Sequence, residues 1–471
     1  MCRDLSDFGS SIRAGSQNPN VFHHYPLPMD LGRDPIPELI RKLAIPASLG
    51  FFFNTMFNVV DTFYAGQLST LALAALSFSM TPFLGFLALG IGLGQASNAL
   101  IGNEQGAGNR KQASHLAAQS ASLGMIAGFL GLAAVWNLLD PLYRFMGAEG
   151  EFLIVALDYM EVLVLVVPAL VLSYAFNGML NSHGDTRSLR DSMIAGFLVN
   201  LLLDPLFMYG WGPIPGQGVK GVAWATVIIQ YGIAVFMGIR VMRTQLAEAW
   251  EWNMIIPILS LQISLLRQSV PATLNFFMLS VGFYVILEAV TEFGEDTVAA
   301  YGIGTRIEQM IMLLTVGLNI STLSITSFNF GAKQYARVRQ VYHLCLLYGI
   351  SMMVLGSLLL RFSAEFWIDL FSDSPEVVIQ GVRFLRIEAL VLPTYVILFM
   401  GTSVLQGLKK PEYALILNIY RLVLGPLLLF WFLIEIQGWG IDGIWWGIFW
   451  VNWIGVLLNL SLVHYFLPKD E

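Results

Sequence analysis

The chain has 471 residues and a formal net charge of −7, but only 12% of its residues are Asp, Glu, Lys or Arg. Soluble domains contain about 25% charged residues, and 56% of this chain is apolar, so its composition excludes a conventional soluble enzyme. The net charge sums loops on two sides of a membrane, so it indicates no nucleic acid or other acidic partner. Two cysteines, Cys2 and Cys345, permit no disulfide framework.

Long apolar runs separated by short polar breaks are typical of helices that cross a bilayer. Residues 1–35 are polar and lack an apolar core, so we predict a loose cytoplasmic tail there rather than a signal peptide or a span. The predicted spans after the tail lie at residues 40–65, 71–101, 115–139, 152–180, 190–210, 219–242, 262–291, 297–328, 341–361, 381–407, 412–436 and 440–466. The predicted fold class is an all-α polytopic membrane protein with twelve transmembrane helices.

The basic residues fall mainly on one side of these predicted spans. With the tail in the cytoplasm, eighteen of the 25 Lys and Arg residues lie in cytoplasmic segments and four lie in outer loops, while Arg306, Arg386 and Arg421 lie within spans. Cytoplasmic loops carry an excess of Lys and Arg. The sequence therefore predicts a multi-pass protein of the plasma (inner) membrane with both termini in the cytoplasm.

The second half of the chain repeats the first. Pro46, which is predicted to kink the first span, corresponds to Pro271 at an offset of 225 residues, and Gly106 corresponds to Gly331 at the same offset. Repeats with an even number of spans keep the same orientation. The pattern therefore predicts two parallel six-helix repeats around a central cavity, as in several transporter folds.

The repeat divides the chain into a first six-helix bundle at 36–242, a cytoplasmic linker at 243–257 and a second six-helix bundle at 258–468. The linker sequence "AEAWEWN" fits either a helix that lies on the membrane surface or a moving connection.

Two carboxylates inside the predicted spans mark a candidate functional site. Ionisable groups within a membrane are costly and are kept mainly for function. Asp61 lies in the first predicted span and Asp204 in the fifth, whereas their repeat counterparts are Ile286 and Gly425. Because the second repeat lacks these carboxylates, the framework that the repeats share does not require them.

The fifth predicted span presents a polar cluster. Asn200 and Asp204 are four residues apart and project from one helix face, and Pro205 leaves the carbonyl of Leu201 without its helical donor. If Asp61 faces this cluster, the low dielectric disfavours ionisation of both carboxylates, and the pair forms a site for a proton or a sodium ion. The alternative is that each Asp only bonds neighbouring groups and holds helices together.

Other intramembrane polar residues give weaker signals. Asn177 and Thr226 are polar only in the first half, and each alone is more typical of a hydrogen bond between helices. Arg421 and Glu388 form a possible second-half polar site, because a buried guanidinium needs either a carboxylate partner or a substrate anion. Glu308 is interpreted as a packing contact. No catalytic constellation, metal-ligand spacing or phosphate-binding glycine loop is present, so we do not expect an enzyme.

Several motifs occur in an order that resembles the multidrug and toxic compound extrusion (MATE) transporters. They are "VVDTFYAG", "GNEQGAGNRKQA", "NGMLNSHGDT", "VNLLLDPLFMYG" and "GVKGVAWAT", within a chain of two parallel halves. The resemblance covers nearly all of the chain from about residue 36 and is closest to the DinF-like branch. It implies that the coupling ion binds at Asp61, Asp204, Asn200, Asn177 and Thr226.

Two positions depart from patterns known in this family. A tyrosine often found one turn before the first Asp is Phe57 here, which removes one hydroxyl from the site. The second-half carboxylate of the NorM-like branch is replaced by Leu279, which argues against a separate sodium site in that half.

Together these features predict a secondary antiporter that exports organic, cationic or amphipathic compounds in exchange for protons, or alternatively for sodium ions bound at Asp61 and Asp204. No other cofactor or metal is expected. The expected partners are small organic molecules and membrane lipid, without nucleic acid, and we expect a monomer. The alternative function is a lipid or lipid-linked sugar flippase of the same superfamily.

Overall fold

The computed structural model describes residues 29–248 and 250–468, except for the side chains of Ile214 and Trp252. In this part of the chain, twelve helices are long and apolar enough to cross a membrane. They are α1 (Ile36–Leu68), α2 (Thr70–Gly106), α3 (Arg110–Phe145), α4 (Gly150–Ser182), α5 (Arg187–Tyr209), α6 (Val219–Met242), α7 (Leu259–Thr291), α8 (Glu295–Gly331), α9 (Tyr335–Asp369), α10 (Pro375–Gly407), α11 (Pro411–Ile436) and α12 (Ile441–Phe466). The predicted all-α fold with twelve spans is confirmed.

Shorter elements interrupt or connect these helices. One 3₁₀ turn, Val164–Val166, interrupts α4, and α11 contains two π-helical stretches, Tyr420–Leu424 and Phe432–Ile436. An antiparallel pair of two-residue strands, β1 (Gly210–Trp211) and β2 (Ile214–Pro215), joins α5 to α6. The sequence predicted none of these irregular elements.

Both ends of the twelve-helix bundle lie on one face, which we call the terminal face; the opposite face is the distal face. At the terminal face Arg337 of α9 donates hydrogen bonds to the carbonyls of Leu31 (3.2 Å) and Asp34 (2.8 Å), and Arg339 donates one to the carbonyl of Pro468 (2.6 Å). Leu31 is buried. The end of the predicted tail is therefore packed against α9 rather than loose, while residues 1–28 lie outside the described residues.

The buried apolar residues form two large cores, the first mainly from the first repeat and the second mainly from the second. Each core also includes the start of one helix from the other repeat. The second core includes α1 residues from Ile36 to Ala44, whereas Ala65 near the end of α1 lies in the first core. In the same way Leu265 of α7 lies in the first core and Val290 lies in the second. The packing thus departs from the predicted division at 36–242 and 258–468, because α1 and α7 each pass from one core to the other.

The two repeats approach each other closely near the terminal face, where the repeated glycines lie. A Cβ atom on Gly106 would lie 1.8 Å from the carbonyl oxygen of Phe328, and one on Gly331 would lie 1.9 Å from that of Asn103. The Asn103 amide also donates to the carbonyl of Gly407 (3.0 Å). We call this packing of α2 against α8 and the start of the α10–α11 loop the terminal-side contact. It explains why glycine occurs at both repeat positions.

The linker between the repeats is fixed to α3. The buried side-chain amide of Gln119 donates to the carbonyls of Met254 (2.6 Å) and Ile256 (2.7 Å), and its oxygen accepts from the backbone of Ile258 (2.8 Å) and the amide of Gln262 (2.8 Å). The linker contains a four-residue helix, Gln245–Glu248, and the 3₁₀ turn Trp252–Ile255, which together are shorter than a surface helix over 243–257 would be. Neither its short helices nor its bonds to Gln119 were predicted from the sequence.

The loop between α4 and α5 is held by Asp185, which comes from the motif "SHGDT". Its carboxylate accepts from the backbone and hydroxyl of Ser188 (3.0 and 2.6 Å) and from the guanidinium of Arg240 (3.0 Å). Burial alone would raise the pKa of Asp185, but the bonds from Ser188 and Arg240 outweigh burial and hold that pKa below its ordinary value. Asp185 is therefore ionised at neutral pH and anchors the start of α5 to α6.

Candidate ion-binding site

Asp61 lies at the meeting point of three helices of the first repeat. It is 5% exposed. Its Oδ1 accepts a hydrogen bond from the amide of Asn200 on α5 (2.7 Å), and its Oδ2 accepts one from the hydroxyl of Thr226 on α6 (3.2 Å). Two donors from two other helices therefore orient a carboxylate that is removed from solvent.

Asn200 joins this carboxylate to a second one. Its amide nitrogen also donates to Oδ2 of Asp204, at 3.1 Å, and both Asn200 and Asp204 are fully buried. The two carboxyl groups therefore share one amide donor. The four-residue spacing on α5 predicted that Asn200 and Asp204 share one face, and the structure places Asp61 and Thr226 against that face.

Pro205 contributes to the position of this cluster. Because Pro205 has no N–H, the carbonyl of Leu201 loses its helical partner. That carbonyl accepts a hydrogen bond from the hydroxyl of Tyr64 on α1 instead, at 3.3 Å. The carbonyl of Leu201 is thus available to a donor outside α5, as predicted from the sequence. Its bond to Tyr64, three residues after Asp61, joins α1 to α5.

The remaining predicted site residue lies on α4. Asn177 is buried, and among the described residues none donates a hydrogen bond to its Oδ1 or joins it directly to Asp61. Tyr159, also buried on α4, lies within electrostatic range of both Asp61 and Asp204. Sequence reasoning missed Tyr159. Because the 3₁₀ turn Val164–Val166 lies between residues 159 and 177, helical spacing alone could not place them on one face.

The chemistry of this site is that of cation or proton binding. In the described part of the chain, Oδ1 of Asp204 and the amide oxygens of Asn200 and Asn177 are buried without a hydrogen-bond donor. Buried acceptors without donors are unfavourable unless a proton or a cation satisfies them. Two carboxylates that share one amide donor cannot both stay ionised in a low dielectric at small cost. The arrangement can therefore hold one positive charge between the two carboxyl groups.

A second polar cluster lies in the corresponding part of the second repeat. Arg421 is buried in the first π-helical stretch of α11 and donates to the amide oxygens of Asn418 (3.2 Å) and Asn452 (3.3 Å). Its guanidinium also lies 5.7 Å from the centre of the Tyr395 ring. Among the described residues Arg421 forms no ion pair within 4 Å with Glu388, which was one of the two partners considered from the sequence, so the second-half polar site stays a prediction. Two asparagines and a tyrosine contact the guanidinium instead.

Two glutamates of this half, Glu308 and Glu388, line a cavity of about 240 Å³ together with Arg421. Glu388, which is buried, and Glu308 both lie within electrostatic range of Arg421. The prediction that Glu308 is a packing contact is therefore wrong, because its side chain faces this cavity. Ile286, the repeat counterpart of Asp61, lines the same cavity, so the two repeats place polar clusters in equivalent positions but with different residues.

Replacing Thr226 tests one donor to Asp61. In Thr226→Val the carboxylate loses a hydrogen bond while the side-chain volume is kept, and a bond to a charged group contributes about 1.5–3 kcal/mol, so we expect transport to fall about tenfold or more. Thr226→Ser keeps the hydroxyl and should transport near the wild-type rate. Initial exchange rates in proteoliposomes with equal protein measure the difference. Equal rates for the valine and serine variants would contradict a role for this bond.

Comparisons with known proteins identify the family of this chain. The profile of the MatE family matches residues 46–206 and 271–431, and both matches begin at the repeated prolines. An FAD transporter of Shewanella oneidensis is 30% identical over 401 residues, which cover 83% of this chain and 86% of that protein. A probable multidrug resistance protein NorM of Thermotoga maritima is 26% identical over 361 residues, covering 74% and 75%.

A solved structure described as MATE in the straight conformation matches with a TM-score of 0.86 at 23% identity, over 94% of this chain and 98% of that one. This likeness supports the two-repeat fold, and the predicted family is confirmed; the DinF-like branch stays a prediction. The chain therefore belongs to the MatE family of multi-pass membrane transporters.

Proposed function

We propose that this protein is a secondary antiporter that exports organic compounds, cationic or amphipathic in character, across the plasma membrane in exchange for protons. The observation that carries the proposal is the buried pair Asp61 and Asp204, which are bridged by Asn200 and surrounded by acceptor oxygens that lack donors. Relatives that are named as multidrug resistance proteins support the efflux activity.

In this proposal the terminal face is the cytoplasmic face, and transport follows alternating access of the two repeats. Ion binding at Asp61 and Asp204 favours one arrangement of the helices, and release on the other side favours the opposite one. Asp61 on α1 and Asp204 on α5 bind the same amide, so a change in their charge changes the force between α1 and α5 directly.

The surroundings of the pair favour a proton over a sodium ion. Sodium needs several oxygen ligands at once, whereas a proton needs one shared acceptor. Phe57 supplies no hydroxyl to the site. Leu279 lines the second-half cavity at the position where a carboxylate would support a separate sodium site.

A gradient experiment tests this choice. Proteoliposomes receive either a pH gradient without sodium or a sodium gradient at uniform pH, and the movement of a fluorescent organic cation is recorded. We expect the pH gradient alone to drive transport in the wild type and to fail with Asp61→Asn. Transport that requires sodium and ignores the pH gradient would overturn proton coupling while leaving the antiporter intact.

A second candidate substrate is a flavin nucleotide, because the relative that is 30% identical is named an FAD transporter. FAD is anionic, and buried Arg421 in the second-half cavity offers one cationic group to a phosphate. The same vesicles can be tested with FAD in place of the organic cation. Movement of FAD without movement of cations would favour this candidate.

The flippase alternative is less well supported. Flippases of the superfamily often line their cavity with several basic residues. Of the three arginines within the predicted spans, Arg306 and Arg386 are exposed, and Arg421 is buried.

A further inference from the structure

A groove runs along the outside of the bundle between α1 and α9, with α8 as its floor. Its volume is about 750 Å³. Its apolar walls are formed by Ala44, Ile45 and Leu49 of α1, Leu314 and Leu318 of α8, and Tyr348 and Met352 of α9. One wall of the groove therefore comes from the first repeat, and its floor and other wall come from the second.

The end of this groove near the terminal face is positively charged. Glu38 lies in the groove lining but forms an ion pair with Lys42 at 2.7 Å, so its charge is compensated. Arg41 is exposed and lies within electrostatic range of Glu38, but no hydrogen bond or ion pair within 4 Å joins it to another described residue, so Glu38, Arg41 and Lys42 together carry one net positive charge. The mouth of the groove thus presents a guanidinium that is free to bind an anion.

The positions of charge and apolar surface along α1 match a lipid molecule. Arg41 is five residues from the first residue of α1, or about 8 Å along the axis, and Leu49 lies about 12 Å farther into the membrane. A phospholipid likewise carries an anionic phosphate at the membrane surface and acyl chains below it. Basic groups between transmembrane helices on the cytoplasmic side are suited to anionic headgroups.

We propose that this groove binds an anionic diacyl phospholipid, with its phosphate on Arg41 and one acyl chain between α1 and α9. Zwitterionic lipids carry a compensating cation beside the phosphate, so the net positive charge of Glu38, Arg41 and Lys42 favours the anionic class. The site is separate from the cluster around Asp61, and its test does not depend on the proposed antiport.

The bound lipid lies beside a contact between the two repeats. The Ser48 hydroxyl, in the groove wall, accepts from the backbone of Gly317 (3.2 Å) and donates to the carbonyl of Leu314 (3.4 Å). A Cβ on Gly317 would lie 2.0 Å from the carbonyl oxygen of Ala44. Because the groove exists only while α1 touches α8, the lipid stabilises the arrangement in which these helices are in contact.

Native mass spectrometry of the purified protein titrated with phosphatidylglycerol or phosphatidylcholine tests the site. We expect the wild type to retain phosphatidylglycerol preferentially. Arg41→Gln should weaken that binding about fivefold, since one basic residue near an anionic surface contributes about 1 kcal/mol. The matched control is Arg33→Gln, because Arg33 is exposed and lies outside the groove lining. It should behave as wild type.

Filling the groove gives an independent test. Ile45→Trp places a bulky ring in the apolar part and should remove lipid retention, whereas Ile154→Trp, on exposed α4 surface outside the groove, should not. If Arg41→Gln elutes aggregated, Arg41→Lys keeps the charge and should retain phosphatidylglycerol. Equal retention of both lipids by the wild type, or equal behaviour of Arg41→Gln and Arg33→Gln, would overturn the proposal.

Discussion

Asp61→Asn is expected to reach the membrane in normal amounts and to lose coupled transport to the level of empty vesicles. The asparagine keeps the volume of Asp61. Its amide oxygen can accept the bond from Asn200, and its amide nitrogen can donate to the Thr226 hydroxyl in place of the bond that Asp61 accepts, so the packing of α1 against α5 and α6 survives. The asparagine cannot bind and release a proton as the carboxylate does. Resistance to an exported compound in cells, together with membrane expression, measures the effect.

The matched control comes from the other repeat. Ile286→Val changes the position that corresponds to Asp61, in the wall of the second-half cavity, and should leave transport nearly unchanged. Gly425, the counterpart of Asp204, is unsuitable, because a Cβ there would lie 3.0 Å from both the Tyr420 carbonyl oxygen and Val451. Near wild-type resistance with Asp61→Asn would rule out a coupling role for this carboxylate.

Gly331→Ala is expected to prevent the repeats from closing at the terminal face. The new Cβ would lie 1.9 Å from the Asn103 carbonyl oxygen in the other repeat, so α2 and α8 must separate. Overpacking of this kind costs about 1–3 kcal/mol, which would lower the population of the closed arrangement by about fivefold to about 150-fold and slow transport accordingly. The control Gly232→Ala, with no atom within 4 Å of the added Cβ, should be silent.

Thiol labelling distinguishes this opening from simple misfolding. Ser324 is fully buried and accepts a hydrogen bond from Asn98 of the other repeat (2.9 Å). In a protein whose two natural cysteines are replaced, Ser324→Cys should react slowly with a water-soluble thiol reagent, and Gly331→Ala should make it react quickly. Unchanged labelling and unchanged transport would show that the repeats can close without this contact.

The parts of the fold and site that depend on spacing within one helix were predictable. Twelve apolar runs predicted twelve helices, and the four-residue interval between Asn200 and Asp204 predicted their common face. The comparison of repeats identified Asp61 as unusual, although nothing local in the sequence showed that it faces Asn200. The identification worked because framework residues recur in both halves, whereas the functional carboxylates occur in one half only.

The parts that depend on contacts between distant helices were not predictable. Glu308 faces Glu388 and Arg421 only because α8, α10 and α11 surround one cavity, and the π-helical stretch around Arg421 has no simple sequence signal. Gln119 looked like an ordinary polar residue in an apolar helix. Its four partners in the linker and α7 are contributed by residues more than a hundred positions later in the chain.

The exchange of helix starts between the two cores gives α1 and α7 a mechanical role. Each is held at one end in one core and at the other end in the opposite core, so in the alternating access proposed above a relative rotation of the cores would bend both helices. Each helix has a proline soon after the part of its start that is buried in a core. Pro46 follows Ala44 in α1, and Pro271 follows Leu265 in α7. A missing helical hydrogen bond lowers bending stiffness there. Bending would thus be concentrated at Pro46 and Pro271, and the rest of each core could turn as a rigid body.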